Sequence, residues 1–236
     1  MSFVRSHHQR VAQILKGLDA KLLRDHRCLF GGGTAIALRY GEYRESVDLE
    51  FLVSDIPSYR DLRNLIRESN GIQAIMTGNS DQSLQYANVR SDQYGIRTKI
   101  FVDRQPVKFE IILEGRVSLN QPGQSDRILG VSTLTALDMA TSKLLANSDR
   151  GMDMGVHCRD VIDLAMMNLS KLDLRKAVEK AEEAYGKAVL IDISKVIDLI
   201  RAREDLLERC MMAMDVSVPR ALLLQNINKL WAVIGS

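Results

Sequence analysis

The feature that most constrains the fold is a change of hydrophobic period within one short stretch of the chain. Leu29-Phe30 ends an apolar segment, a glycine triplet follows, and residues 35–38 have the composition of a helix interior. Over residues 47–53 the apolar side chains instead alternate with Asp48 and Glu50. A period of 3.6 indicates a helix, and a period of two indicates a strand. The stretch therefore predicts strand, tight turn, short helix and strand, which is an α/β arrangement.

The glycine triplet is a candidate phosphate-binding turn. Gly31, Gly32 and Gly33 accept positive φ without a Cβ clash. Thr34 is predicted to cap the helix that follows, and Gly41 is predicted to end it after about two turns. The free N–H groups of the first helical turn and the positive end of the helix dipole favour a bound phosphate.

Asp48 and Glu50 are candidate metal ligands. Side chains two residues apart on a strand point to the same face, and at ~3.3 Å per residue they are separated by about 7 Å of strand. The opposite face is predicted to consist of Val47, Leu49, Phe51 and Val53. Carboxylate oxygens suit Mg²⁺ or Mn²⁺. A glycine turn alone is typical of an ordinary loop, and an acidic strand face alone of a solvated edge, but together they indicate metal-assisted phosphate chemistry.

Further strands and helices are predicted before residue 118. The strands are Ile72–Met76, Gln85–Val89, Thr98–Val102 and Val107–Leu113, and the helices cover residues 9–23 and 55–70. In the last strand Lys108 and Glu110 share the polar face. Glu110 is therefore a candidate third carboxylate, acting as a metal ligand or a base, and the alternative is that this face is simply exposed.

The C-terminal half is predicted to be helical. Residues 119–130 are rich in Asn, Gln, Pro, Gly and Ser and are predicted to link a domain of residues 1–118 to one of residues 131–236. The predicted helices of the second domain cover residues 133–147, 174–185, 193–214 and 221–234, together with a short apolar helix that starts at Arg159. These helices are expected to pack as a bundle.

Charged residues interrupt two of these apolar helices. Asp160 and Asp163 share a helix face, and Arg159 can pair with Asp163 at i, i+4. Carboxylates in an apolar helix are costly unless they have partners. The pattern therefore indicates either a structural Arg–Asp clamp or a functional acid. Lys143 lies on the polar side of its helix, where a lysine is usually solvated.

Two separated motifs carry a resemblance to a known family. The first is Gly32-Gly33-Thr34, a two-turn helix and then Arg44-x-Ser46-x-Asp48-x-Glu50-Phe51. The second is Lys143-Leu144-Leu145-Ala146 followed by Arg159-Asp160-x-x-Asp163-Leu164. In this order they resemble the nucleotidyltransferase superfamily, and most of all the AbiEii/AbiGii-type toxins of bacterial type IV toxin–antitoxin systems. The family has D-x-D where this chain has Asp48-x-Glu50, so the second carboxylate here has a longer reach.

The resemblance implies both a fold and a reaction. The fold is an α/β nucleotidyltransferase core, with a mixed β-sheet flanked by helices, plus a helical C-terminal domain. The reaction is transfer of a nucleoside monophosphate from an NTP to RNA, with a tRNA 3′ end among the acceptors, and release of pyrophosphate. A cognate antitoxin is the implied protein partner.

The motif positions define the expected site. The expected catalytic residues are Asp48, Glu50, Glu110, Lys143 and one of Asp160 or Asp163, of which Asp48, Glu50 and Glu110 bind the metal ion. The expected nucleotide-binding residues are Gly32, Gly33, Thr34, Arg44 and Ser46. Lys143 and Arg44 are expected to neutralise phosphate oxygens as charge builds.

Two rival functions stay open at this point. A metal-dependent nuclease also uses paired acids and a lysine, although restriction-type nucleases have E-x-K where this chain has Lys108-x-Glu110. A nucleotide-binding regulatory module without catalysis is made plausible by Glu50. A P-loop NTPase is disfavoured, because Thr34 is not preceded by the lysine of that motif.

Composition bounds the setting rather than the chemistry. With 46% hydrophobic residues the 236-residue chain can bury a substantial core, and its net charge of +2 favours no partner class. Cys28, Cys158 and Cys210 are scattered, which predicts reduced thiols and a cytoplasmic protein. No apolar run approaches the ~20 residues of a membrane span, and the start of the chain lacks a signal-peptide core. His7-His8 is predicted to be solvated.

Overall fold

The computed structural model describes residues 2–69, 71–78, 84–156 and 158–234. The chain divides into two compact units. The first comprises Met1–Arg39 and Ser46–Thr135, and the second comprises Tyr40–Glu45 and Ala136–Ser236. Asn70, predicted to end the helix that starts near residue 55, lies outside the described residues.

A six-stranded mixed sheet is present among the described residues of the first unit. Its strands are β1 (Leu29–Gly31), β2 (Asp48–Val53), β3 (Gln85–Tyr86), β4 (Arg90–Ser91), β5 (Gly95–Val102) and β6 (Gln105–Leu113). Their order is β1-β2-β6-β5-β3, and β4 also pairs with β5. β2 and β6 run parallel, whereas the other pairs are antiparallel. β7 (Arg127–Ile128) and β8 (Val131–Ser132) form a separate antiparallel pair.

Three phenylalanines from neighbouring strands anchor the buried face of this sheet. The ring centroids of Phe30 and Phe51 are 5.3 Å apart, as are those of Phe51 and Phe109. All three side chains are fully buried. Because side chains alternate along a strand, this anchoring turns Asp48 and Glu50 to the opposite face of β2.

The predicted faces of β2 are confirmed except at one end. Leu49, Phe51 and Val53 are buried as expected. Val47 precedes the strand and is 49% exposed, so it does not belong to the apolar face.

The helices of the first unit are α1 (Ser6–Gly17), α2 (Ala20–Asp25), α3 (Gly32–Arg39) and α4 (Ile56–Glu68). The single helix predicted over residues 9–23 is wrong, because the chain breaks after Gly17. Leu18 is extended, and the Asp19 carboxylate accepts from the Leu22 backbone N–H at 2.9 Å to cap α2. A side-chain cap of this kind favours a new helix start.

The strand predicted at Ile72–Met76 is wrong, because Gly71–Ile75 forms a 3₁₀ helix. Ile72 and Ile75 are both buried there. Residues three apart align on one side of a 3₁₀ helix, whereas they point to opposite faces of a strand. The other predicted strands are present with shifted ends.

The second unit contains a short segment, Tyr40–Glu45, and a set of helices. The helices are α5 (Ala136–Arg150), α6 (Arg159–Met167), α7 (Lys171–Tyr185), α8 (Ala188–Ala202), α9 (Glu204–Ala213) and α10 (Arg220–Ile234). α5 packs against α6, α7 and α8. The single helix predicted over residues 193–214 is wrong, because Arg203 is extended and separates α8 from α9.

The predicted fold class is confirmed: a mixed sheet with flanking helices is followed by a helical C-terminal region. Residues 119–130, predicted as a linker, belong to the first unit. The domain limits 1–118 and 131–236 stay predictions. In the part of the chain that the structure describes, no helix is long and apolar enough to cross a bilayer.

Candidate active site

The predicted carboxylates of the first unit share one face of the sheet. Asp48 and Glu50 lie at the start of β2 with partly exposed side chains. The parallel register aligns Lys108 with Asp48 and Glu110 with Glu50. Because in-register neighbours project to the same side, the structure brings Asp48, Glu50 and Glu110 onto the same face.

Glu110 is already paired with cations. Arg97 Nε lies 3.3 Å from Glu110 Oε1, and Lys108 Nζ lies 2.6 Å from Oε2. The hydrogen bond to Glu110 raises the pKa of Lys108, and the charges of Asp48 and Glu50 act in the same direction. The face therefore carries acids and bases side by side, and the charge of Glu110 is balanced locally.

The donor set fits a magnesium site with two protein carboxylates. Mg²⁺ keeps several waters and is commonly held by one or two carboxylates plus substrate phosphates. Asp48 and Glu50 supply such oxygens from one strand. Among the described residues, no group of three or more His, Cys, Asp and Glu side chains is placed to hold a metal ion.

The glycine turn lies directly against Glu50. Gly32 begins α3 with φ +67°, and a Cβ built on it would overlap the Glu50 carboxylate and lie 3.1 Å from Glu50 Cβ. Glycine therefore meets two requirements here, since it adopts the positive φ and leaves room for the acid. The N-terminus of α3 thus approaches the carboxylate face within the first unit.

The predicted cap residue has a different role. α3 begins at Gly32, so the prediction that Thr34 caps it is wrong. The Thr34 side chain is buried, and its hydroxyl donates to the Asp48 carbonyl oxygen at 2.5 Å. Thr34 Oγ1 also lies 2.9 Å from Ser46 Oγ. The Thr34 hydroxyl therefore binds the start of β2. Gly41, with φ +88°, follows the helix as predicted.

Two adjacent histidines of α1 hold the chain immediately before β2. His8 is fully buried, and its Nε2 accepts a hydrogen bond from the Ser46 backbone N–H at 3.2 Å. His7 is 8% exposed, and its Nε2 lies 2.8 Å from the Val47 carbonyl oxygen. The prediction that His7-His8 is solvated is therefore wrong.

A sequence signal for the buried histidines existed. His7 stands four residues before Val11, and His8 stands four residues before Ala12. Because Val11 and Ala12 are buried, extending the apolar stripe of α1 by one turn turns both imidazoles inward.

The remaining predicted site residues lie in the second unit, where their charges pair with one another. Asp163 Oδ1 accepts from Tyr43 Oη at 2.5 Å and from Arg44 Nε at 2.7 Å. Asp163 Oδ2 accepts from Arg44 Nη2 at 2.8 Å and lies 2.7 Å from Lys143 Nζ. Arg44 and Lys143, rather than the predicted Arg159, are thus the cations bound to Asp163.

Asp160 extends this buried cluster. Lys143 Nζ donates to Asp160 Oδ1 at 2.9 Å, and Arg150 Nε donates to Oδ2 at 2.9 Å. Lys143 is only 5% exposed, which corrects the expectation of a solvated lysine. Lys143 therefore bridges both acids of α6.

The cluster shifts the pKa values of its members in the direction that keeps them charged. Burial alone would raise the pKa of Asp163, but the charges of Arg44 and Lys143 outweigh it and lower that pKa well below its usual range. The pKa of Asp160 is lowered in the same way, with Lys143 and Arg150 opposing the effect of burial. Burial would lower the pKa of Lys143, yet the two aspartates raise it. The contacts of these buried side chains therefore favour their charged forms.

Comparison with protein families and solved structures adds independent findings. The family profile described as "Nucleotidyl transferase AbiEii toxin, Type IV TA system" matches residues 13–222. No match is found among the curated proteins.

Solved structures with a similar fold include two bacterial proteins. MenT4, a nucleotidyltransferase toxin from Mycobacterium tuberculosis, is 17% identical with a TM-score of 0.51 over 98% of this chain and 86% of that one. JHP933 from Helicobacter pylori is 17% identical with a TM-score of 0.52 over 99% of this chain and 92% of that one. At this identity the likeness concerns the fold.

Proposed function

Because the chain belongs to the AbiEii family of nucleotidyl transferase toxins of type IV toxin–antitoxin systems, we propose that it transfers a nucleoside monophosphate from an NTP to an acceptor hydroxyl. The hydroxyl oxygen forms a bond to the α-phosphorus and loses its proton, the α–β phosphoanhydride bond breaks, and pyrophosphate leaves with the bonding electrons. The observation that carries the proposal is the close approach of Gly32, at the start of α3, to Glu50. A helix N-terminus, which favours bound phosphate, thus adjoins Glu50.

Asp48 and Glu50 are the proposed ligands of Mg²⁺ or Mn²⁺. When bound, the ion would neutralise charge on the α-phosphate and make the attacking hydroxyl easier to ionise. The charge of Lys108 acts on Asp48 and Glu50 and offsets the repulsion between them. Glu110 stays a proposed third ligand or base, and its pairing with Arg97 and Lys108 keeps it in place on the same face.

The first turn of α3 is the proposed triphosphate site. Backbone N–H groups there have no partner within the helix, so Gly32, Gly33 and Thr34 can donate to the outer phosphates. Ser46, held beside Thr34, adds a hydroxyl. Arg44, Lys143, Asp160 and Asp163 stay proposed as nucleotide-site residues on the strength of their motif.

RNA is the proposed acceptor, with a tRNA 3′ end as the first substrate to test. A cognate antitoxin is the proposed protein partner, because the family is that of a type IV toxin–antitoxin system.

Labelled nucleotides test the reaction. The protein is incubated with Mg²⁺, total RNA and each NTP in turn, labelled at the α- or the γ-phosphate. Transfer predicts label on RNA from the α-position alone. Shortened, unlabelled RNA would identify a nuclease, and intact NTP with every acceptor would favour a binding module.

A matched pair of variants ties the reaction to the acid face. Asp48→Asn should lower turnover about a thousandfold, because several kcal/mol of transition-state stabilisation are lost. Asp61→Asn, which changes an exposed carboxylate of α4, should leave turnover unchanged. Full activity of a folded Asp48→Asn protein would contradict the proposed site.

A further inference from the structure

Among the residues that the structure describes, the start of β2 has no neighbouring strand on the β1 side. β6 pairs with Asp48 through Lys108, but β1 ends at Gly31, which pairs with Glu50. β1 therefore covers residues 50–52 and leaves the backbone at Asp48 without a strand partner on that side. Unpaired backbone groups near a sheet must find other partners or water.

Beyond the end of β1, side chains bind the backbone groups of residues 46–48. His8 accepts from the Ser46 N–H, His7 is bonded to the Val47 carbonyl oxygen, and Thr34 donates to the Asp48 carbonyl oxygen. Three consecutive residues are thus each held through one backbone group. We name the side chains of His7, His8 and Thr34 the 46–48 clamp.

The hydrogen bonds define opposite tautomers for the two histidines. The Ser46 N–H can only donate, so His8 Nε2 carries no proton in this bond. The Val47 carbonyl can only accept, so His7 Nε2 carries the proton, while His7 Nδ1 accepts from Arg10 Nη2 at 3.3 Å. His8 therefore accepts a hydrogen bond from the backbone, whereas His7 donates one to it.

We propose that the 46–48 clamp positions Ser46 and Asp48 for nucleotidyl transfer, which makes His7 and His8 positioning residues of the reaction. This inference rests on the proposed function of the sheet face that carries Asp48, Glu50 and Glu110. Burial of both imidazoles leaves them little freedom, so the backbone they hold is equally restricted. Loss of a group that orients a ligand typically costs about 10- to 100-fold in activity.

Paired variants of His8 test the clamp in the full-length protein. His8→Leu removes the acceptor, whereas His8→Gln retains an amide oxygen close to the position of Nε2. His8→Leu should lower kcat per folded molecule about 10- to 100-fold, with His8→Gln recovering most of that loss. His26→Leu is the matched control, because the His26 ring bonds locally to the Leu22 carbonyl oxygen at the end of α2, and this variant should keep wild-type turnover.

Hydrogen exchange supplies a readout independent of activity. The Ser46 amide, measured at single-residue resolution, should exchange faster in His8→Leu than in wild type and regain protection in His8→Gln. A merely structural histidine would lower the melting temperature and leave kcat per folded molecule unchanged. If His8→Leu does not fold, the same comparison is made with His7→Gln, which retains a donor, and Thr34→Val, which removes one.

The outcomes separate this inference from the proposed function. If Asp48→Asn is inactive while His8→Leu turns over at the wild-type rate, the clamp is overturned and the acid site stands. If Asp48→Asn is fully active, the proposed site fails, and slow turnover of the histidine variants would no longer support positioning. Unchanged protection of the Ser46 amide in His8→Leu would also overturn the clamp.

Discussion

At the scale of single residues, the site depends on where a side chain is absent as much as on where one is present. Gly32 combines φ +67° with a backbone that leaves no room for a Cβ beside Glu50. Gly41, with φ +88°, has nothing within 4 Å of the corresponding position. A side chain at either position would strain the backbone, but only at Gly32 would it also collide with a neighbouring residue.

We expect Gly32→Ala to reduce turnover far more than Gly41→Ala. Both variants should lose roughly 1–2 kcal/mol of stability, because a left-handed backbone disfavours a Cβ. Only the alanine at 32 should also displace the Glu50 carboxylate. Urea denaturation and NTP turnover per folded molecule measure the two effects. Equal turnover in both variants would show that the fit between Gly32 and Glu50 does not matter for the chemistry.

At the scale of elements, α5 and α6 are joined by buried charges. Lys143 of α5 bridges Asp160 and Asp163 of α6, and the Arg44 guanidinium donates one hydrogen bond to each carboxylate oxygen of Asp163. Removal of one partner of a buried pair leaves a charge without compensation in the interior. An exposed pair loses little, because water and salt already screen it.

Asp163→Asn should therefore destabilise the protein by about 3–5 kcal/mol. The matched change, Asp192→Asn, removes the partner of the half-exposed Lys195 in α8 and should cost less than about 1 kcal/mol. Free energies of unfolding from urea titrations at pH 7 provide the comparison. Similar losses in the two variants would mean that the buried cluster adds no more stability than a surface pair.

The same cluster predicts a loss of stability in acid. The pKa values of Asp160 and Asp163 are lower in the folded state than the ~3.9 of an unfolded aspartate. The unfolded state then binds more protons below about pH 4, so stability falls as the pH falls through the folded pKa values.

Urea unfolding midpoints are measured between about pH 6 and pH 2. The midpoint should fall with decreasing pH in wild type, and it should fall less steeply in Asp163→Asn. The variant lacks one of the two carboxylates whose pKa values are lowered in the folded state. An identical acid slope in wild type and Asp163→Asn would contradict the assignment.

At the scale of the whole molecule, each of the two units is built from two separate segments of the chain. It leaves the first unit after Arg39, contributes Tyr40–Glu45 to the second, and returns at Ser46. This short segment carries Tyr43 and Arg44, both of which are bonded to Asp163.

A fragment of residues 131–236, the predicted C-terminal domain, should therefore fold poorly. It lacks Tyr43 and Arg44, so Asp163 loses two of its buried partners. Near-ultraviolet circular dichroism and urea titration of the fragment measure packing and stability, and the intact chain is the reference. Cooperative unfolding with the stability of the intact protein would show that the segment is dispensable.

Local order in this protein was predictable from the sequence alone. The alternation around Asp48 and Glu50, the glycine turn and the acids of α6 are all visible in residue periodicity, because backbone geometry sets side-chain direction within a few residues. The same reasoning failed where a short-range signal competed with it, as at Asp19, whose cap divides the first predicted helix.

Partners distant in the chain were decided only by the tertiary structure. Ser46 meets His8 across 38 positions, and Arg44 meets Asp163 across 119. Glu110 joins the acid face because β6 pairs with β2 in one parallel register, and a slip of one residue would turn its side chain to the other face. Periodicity shows which side of an element is polar. The hydrogen-bond partners of the buried polar groups depend on how elements far apart in sequence pack together. A buried polar group without a partner is costly, so each of these pairings is needed for stability.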